Sequence, residues 1–330
     1  MQLCMRHKPQ LCFYQSTIAF VALVCSLVGL PQVKSQGHSS AQSNEIAVSV
    51  GVTDKEDNPV SRLPRDAFSV SDGNVPVEII SFQDEDAPTS IAIVFDLSAS
   101  VGGLKGEKPR KKLVSATEEI TSLVDSEKKA NEYFIIGFAT GHELLSEGDR
   151  SEAISGIRRL RSIQLSGQSE FFDTCRFALD RVTLGRYSKK AIILISDGED
   201  TYSRLGLDDV RRLLKERGVV IYALDIGDAP DFNYRSIKLG ASVLDKLASD
   251  SGGLALHPRK VGDVAAAVRR IASDIGTRYL IGFRSAITAD LRKCSSFKIK
   301  VTTPIDPSRK PKALAVRSLS SHCPSTIPAQ

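Results

Sequence analysis

Histidine, cysteine and long apolar runs are all scarce in this chain of 330 residues, and each scarcity closes off a class of function. Five histidines are present, and none lies in a recognisable catalytic triad or metal-ligand motif. The six cysteines include no C-x-x-C pair and no His/Cys cluster, so nothing suggests zinc. No run approaches the ~20 apolar residues of a membrane-spanning helix. "VGGLKGEKPR" (101–110) fits neither the dinucleotide glycine pattern nor a phosphate-binding loop, and "GQSEF" around Ser169 lacks the second glycine of a nucleophile elbow. A phosphatase-type site at Asp96 would want a second acid two residues on, where Ser98 stands. Hydrolysis is disfavoured, and no enzymatic activity is expected.

Net charge is also low once the N-terminus is considered. Residues 1–35 carry Arg6, Lys8 and Lys34 and no acid, so their removal leaves 44 − 3 = 41 basic against 39 acidic residues. That balance has no electrostatic footprint for nucleic acid or an anionic membrane. The same residues resemble a signal peptide: a positive start, an apolar stretch "TIAFVALVCSLVGL" (17–30), Pro31, and small residues at Val33 and Ser35 before Gln36. Export is expected, to the periplasm, cell envelope or medium, with membrane attachment only if the leader stays uncleaved. Cys4, Cys12 and Cys25 leave with it. Cys175 falls in an amphipathic helix pattern and is expected to be a buried thiol. Cys294 and Cys323 flank a strand pair, and spacing alone leaves their pairing open.

Residues 36–45 are polar and small and are expected to be a disordered leader. From 46 to 87 the pattern is β: Ile46, Val48, Val50 and Val52 alternate, "TDKEDNPV" turns, and "AFSVSDG" and "VPVEIISFQ" supply further strands. "DKEDN" lacks the glycine and distant glutamate of an EF-hand loop, so a solvated turn is expected. Between 88 and 284 strands alternate with helices. Apolar runs at 91–95, 133–139, 191–196, 219–226, 253–258 and 279–283 have the character of strands buried on both faces. Helical patterns intervene, such as Leu113, Ala116, Ile120, Leu123 and Val124 on one face. The expected fold is α/β, a doubly wound, mostly parallel six-stranded sheet flanked by helices. Residues 285–320 return to β character and are expected to join 46–87 in a small β-module, with 321–330 as a tail.

The chemistry concentrates at three places. "IAIVFDLSAS" ends a buried strand in Asp96, followed by Ser98 and Ser100. "AIILISDGED" ends another in Asp197. "LSGQSEFFDTC" puts Ser169 in a loop before a helix. In an open parallel sheet, ligands bind beyond the C-terminal strand ends. Two carboxylates and three hydroxyls form an all-oxygen set suited to a hard cation. For D-x-S-x-S in isolation, a helix-capping turn is the simpler reading.

D-L-S-A-S, G-Q-S and S-D-G-E, in that order on those elements, resemble the three loops of a metal-ion-dependent adhesion site in the von Willebrand factor type A (VWA) family. The stretch from Val52 to Phe82 also resembles the segment preceding the VWA domain in exported bacterial VWFA-related proteins of the acidobacterial type. The resemblance implies that Ser98 and Ser100 coordinate Mg²⁺ directly (Mn²⁺ or Ca²⁺ being alternatives). Asp96 and Asp197 would act through metal-bound water, and Ser169 would join when ligand binds. The family usually has threonine at the Ser169 position. The implied partner is a protein or matrix-like ligand offering a carboxylate. A metal-independent scaffold is the alternative.

Overall fold

The computed structural model describes residues 45–101, 107–227, 235–285, 294–302 and 314–323, with side chains of 235–238 excepted. The expected signal peptide (1–35), most of the expected disordered leader and the last seven residues lie outside the described residues. Those described belong to one compact unit, Ser43–Gln330.

The chain begins with β1 (Glu45–Thr53), β2 (Phe68–Asp72), β3 (Val75–Val77) and β4 (Ile79–Gln83). It continues through β5 (Thr89–Asp96), α1 (Glu107–Ser126), β6 (Glu132–Ala139), β7 (Gly141–Gly148), α2 (Arg150–Leu160) and α3 (Phe171–Thr183). Then come β8 (Lys189–Ser196), α4 (Leu207–Arg217), β9 (Val220–Asp225), α5 (Arg235–Ser251), β10 (Leu254–Leu256) and α6 (Val264–Gly276). It closes with β11 (Tyr279–Arg284), β12 (Ser295–Val301), β13 (Ala315–Ser318) and β14 (Ser321–His322).

The central sheet has six strands in the order β10-β9-β8-β5-β6-β7, all parallel except β7. Every residue of β5 is buried, because its two faces feed two different cores. Ile91, Ile93 and Phe95 pack with α1, α2 and α6, while Ala92 and Val94 pack with α3, α4 and α5. A strand apolar on both sides belongs in the middle of a doubly wound sheet. From β5 the chain moves outward on one side through β6 and on the other through β8, so the strand order reverses between β5 and β8. The helix cores are those the sequence pattern supplies: Leu113, Ala116, Ile120 and Val124 of α1 are buried, and Gly218 ends α4 with a left-handed φ of 64°.

Two strand assignments differ from the sequence expectation. Residues 279–283 do not enter the parallel sheet. As part of β11 they pair antiparallel with β1, Val48 opposite Ile281, and with β4 on the other side. The sixth central strand is instead β7, "GHELLSEG", which returns from β6 through a turn with Gly141 at φ +94°. His142 lies on this strand. "VPVEIISFQ" also divides, β3 pairing with β2 and β4 with β11.

The terminal strands form two four-stranded sheets, β13-β1-β11-β4 and β14-β12-β2-β3. They share a core in which the alternating Ile46, Val48, Val50 and Val52 meet Phe68, Val70, Tyr279, Phe297 and Ile299. Asp54, in the expected turn, accepts amide hydrogen bonds from Glu56 and Asn58 with its side chain. Cys294 and Cys323 form a disulfide, and Cys175 is a buried free thiol whose pKa burial pushes up.

Candidate functional site

The reversal between β5 and β8 places Asp96 and Asp197 at the C-terminal ends of adjacent strands, where side chains from separate connections can converge. Asp96 ends β5 and is fully buried. One carboxylate oxygen accepts the Ser98 amide at 3.0 Å and the other accepts the Ser196 hydroxyl at 2.6 Å. The Ser98 and Ser100 hydroxyls lie 3.0 Å apart. Asp197 follows β8 and accepts the Glu199 amide at 3.1 Å. Ser169 donates its hydroxyl to the Glu199 carbonyl at 2.7 Å.

Backbone bonds tie the three loops into a ring. Ala99 donates to the Gly167 carbonyl at 3.1 Å, and Ser166 donates to the Leu97 carbonyl at 3.0 Å. The Ser169 carbonyl accepts the amides of Thr201 and Tyr202, both at 3.0 Å, while the Ser169 amide donates to the Thr201 hydroxyl at 2.9 Å. The Asp96–Ser196 bond joins the first loop to the third. A close helix contact holds that third loop from behind. A side chain at Gly198 (φ +71°) would sit 2.3 Å from the Gly240 carbonyl of α5, and one at Gly240 would sit 2.2 Å from the Asp197 carbonyl. Only glycines permit this approach.

All five residues expected to act together therefore lie on this ring. Ser196, Thr201 and Gly240 were not anticipated. Ser196 reads as an ordinary strand residue, and the other two matter only through partners remote in sequence.

The electrostatics favour a cation. Burial pushes the Asp96 pKa up to about 7, and the charge of Asp197 pushes the same way against the Ser196 and Ser98 hydrogen bonds. No basic side chain pairs with Asp96 among the described residues. A buried carboxylate that repels its neighbour is costly unless a positive charge joins it. Among the described residues no group of three or more His, Cys, Asp or Glu is arranged to hold a metal, so any ion here depends on the serine oxygens. Neutral hydroxyls beside two carboxylates suit a hard divalent ion such as Mg²⁺.

Next to this ring lies a second ionic cluster that the sequence did not reveal. His257 follows β10 and bridges Asp225 at the end of β9 and Asp245 of α5, each at 2.8 Å. The hydrogen bond to Asp225 is the main cause raising the His257 pKa from 6.5 to about 9, with Asp245 adding to it and burial opposing. Because the folded value is raised, the cluster contributes fully below pH 6.5 and loses its contribution as pH climbs through 9. Thermal melts from pH 6.5 to 10 should show a steeper decline for wild type than for His257→Gln. The difference should not exceed about 1 kcal/mol, because His257 is 36% exposed and solvent screens the pairs. Equal slopes would count against the bridge.

Fold and ring together describe an α/β domain whose sheet edge carries a clustered oxygen-donor set. Residues 90–248 match the model of the von Willebrand factor type A domain, and this part of the chain is a VWA domain. No curated protein matches the chain significantly. Among solved structures, the proximal thread matrix protein 1 of the mussel byssus with a zinc-occupied MIDAS motif is 16% identical, with a TM-score of 0.47. The match covers 63% of this chain and 50% of the mussel protein, so this chain spans half its length. A von Willebrand factor type A protein from Catenulispora acidiphila is 10% identical over 76% of this chain and 75% of its own, with a TM-score of 0.46. An aerotolerance-related membrane protein from Bacteroides fragilis is 18% identical over 57% of this chain and 98% of its own, with a TM-score of 0.44. No helix among the described residues is long and apolar enough to cross a membrane.

Proposed function

We propose that this chain is an exported binding protein whose VWA domain holds a divalent cation at Asp96, Ser98, Ser100, Ser169 and Asp197 and uses it to bind an acidic group on a macromolecular partner. The observation that carries this reading is the buried Asp96 carboxylate, raised to about 7 beside a second carboxylate, with two serine hydroxyls 3.0 Å apart on the same loop. Asp96 organises its own loop by accepting the Ser98 amide, and Ser196 anchors the third loop against it. The Ser169 hydroxyl engages the Glu199 carbonyl and would have to leave it to join the ion. A hard ion held largely by neutral hydroxyls stays electron-poor and can accept a carboxylate from outside the protein. The function is adhesion or assembly, with no chemical step. The Cys294–Cys323 disulfide supports export, since such bonds persist in oxidising compartments.

Metal linkage tests the site directly. A ligand that binds only the folded state stabilises it by about 1.4–2.7 kcal/mol at 10–100 times its Kd, so saturating Mg²⁺ should raise the melting temperature by about 3–10 °C. Ser100→Ala should blunt that response. Asp96→Asn, by removing the buried charge, should melt higher than wild type in EDTA and gain nothing from Mg²⁺. A wild-type protein indifferent to Mg²⁺, Mn²⁺ and Ca²⁺ overturns the reading. Capture of partners from the native envelope or medium, compared in Mg²⁺ and in EDTA, tests the second half. Capture unchanged by EDTA would make the domain a metal-independent scaffold.

A further inference from the structure

Beside the ring a groove of about 660 Å³ opens between α3, β7 and the loop that follows Asp197. Its near edge is Glu170, the residue after Ser169, and one wall is Tyr202, whose amide donates to the Ser169 carbonyl. The groove therefore adjoins the loop that carries Ser169. Phe177 and His142 lie in its lining with ring centroids 4.4 Å apart, and the Arg181 guanidinium lies 5.1 Å from the Phe177 ring centre. Tyr202 is 56% exposed, a large aromatic surface left to solvent.

The charges in the groove are not equivalent. Asp173 is occupied by the backbone amides of Arg204 and Leu205, each at 3.0 Å. Asp180 accepts from Arg217 at 2.9 Å and stands 3.7 Å from Arg176. These two acids are spent on the protein's own groups. The exposed Arg204 guanidinium and the Tyr202 hydroxyl have no partner among the described residues. Glu170, close to the ring, disfavours an acid immediately beside the one on the metal.

We infer that this groove is the specificity subsite of the proposed carboxylate-binding surface, and that it takes an acidic peptide segment with an aromatic residue between two separated acids. The first acid goes to the metal, the aromatic side chain to the Phe177–His142–Tyr202 surface, and the second acid to Arg204. Aromatic packing and a guanidinium fork are the features that dominate binding energy in protein interfaces. The inference rests on the metal-dependent reading for its first contact alone.

Fluorescence anisotropy on the full chain tests it, using a labelled peptide in which aspartate, tyrosine and glutamate alternate with glycine. Controls replace tyrosine by alanine, or glutamate by glutamine. In Mg²⁺ the parent peptide should bind wild type about fivefold more tightly than Arg204→Ala, and the glutamine peptide should bind both proteins equally. Tyr202→Ala should weaken the parent peptide and leave the alanine peptide unchanged. Arg204 and Tyr202 are exposed, so neither variant threatens the fold, and unchanged melting temperatures will verify this. If EDTA abolishes binding while the Arg204 and Tyr202 variants match wild type, the groove inference is overturned and the metal reading survives. If the variants weaken binding and EDTA does not, the groove stands and the metal reading falls. No measurable binding of the parent peptide overturns the inference.

Discussion

Asp274→Ala should destabilise the protein by about 3–5 kcal/mol, the cost of leaving buried arginines without their counter-charge. Asp274 lies near the end of α6 and is almost completely buried. One of its oxygens takes the Tyr222 hydroxyl at 2.7 Å and Arg278 at 3.1 Å, and the other takes Arg317. Arg278, equally buried, also reaches the Ser49 hydroxyl at 2.8 Å, the Ser49 carbonyl at 3.0 Å and the Gly252 carbonyl at 2.9 Å. One carboxylate thus joins β9 and α6 of the central domain to β1 and β13 of the terminal sheets. Burial pushes its pKa up, but Arg278 and Arg317 more than compensate and hold it below 3.8. A depressed carboxylate contributes its stability above pH 3.8 and loses it as pH falls through the folded value. Chemical denaturation at pH 7 should show the full loss in Asp274→Ala, and the gap from wild type should narrow under strongly acidic conditions. A loss below about 1 kcal/mol at pH 7 would mean that the network does not hold the two parts together.

Removing the disulfide should have the next largest effect. Cys294 and Cys323 are 29 residues apart, and closing a loop of that length restricts the unfolded chain enough to contribute about 3.5 kcal/mol. The bridge ties β14 to β12, and the other ties of that two-residue strand are few: two residue pairs, Ser295 with His322 and Ser296 with Ser321, and a bond from the Cys323 amide to the Lys215 carbonyl of α4 at 3.1 Å. A reductant should therefore lower the melting temperature of wild type and leave a Cys294→Ser, Cys323→Ser double variant unmoved. The double variant should melt where reduced wild type does. Equal melting of oxidised and reduced wild type would show that the bond constrains nothing.

Much of the fold was legible where the pattern was local. Strands β5, β8 and β9 are continuous apolar runs because both of their faces are covered. Ile46, Val48, Val50 and Val52 alternate because only one face of β1 meets the shared core. Helix α1 shows its buried stripe at three- and four-residue spacing. Helix α2 carries a local start signal, since Asp149 and Glu152 form a capping box. Strand β7 carried almost none, since an edge strand made of "GHELLSEG" exposes one side and needs little apolar residue.

By itself the sequence determined that Asp96 and Asp197 stand at the ends of buried apolar runs, that Ser98, Ser100 and Ser169 stand in connecting loops, and that the chain alternates β and α between its two β ends. These follow from periodicity and residue chemistry, which act over a few positions. Sheet membership was decided only in the folded molecule. Residues 279–283 are as apolar as any central strand, yet β11 lies between β1 and β4, because five buried residues suit any covered sheet and partners are chosen at long range. The same holds for the contacts that shape the site. Ser196 reaches Asp96, Thr201 reaches Ser169, His257 spans two aspartates and Gly240 admits Asp197, each across a separation that no local pattern encodes.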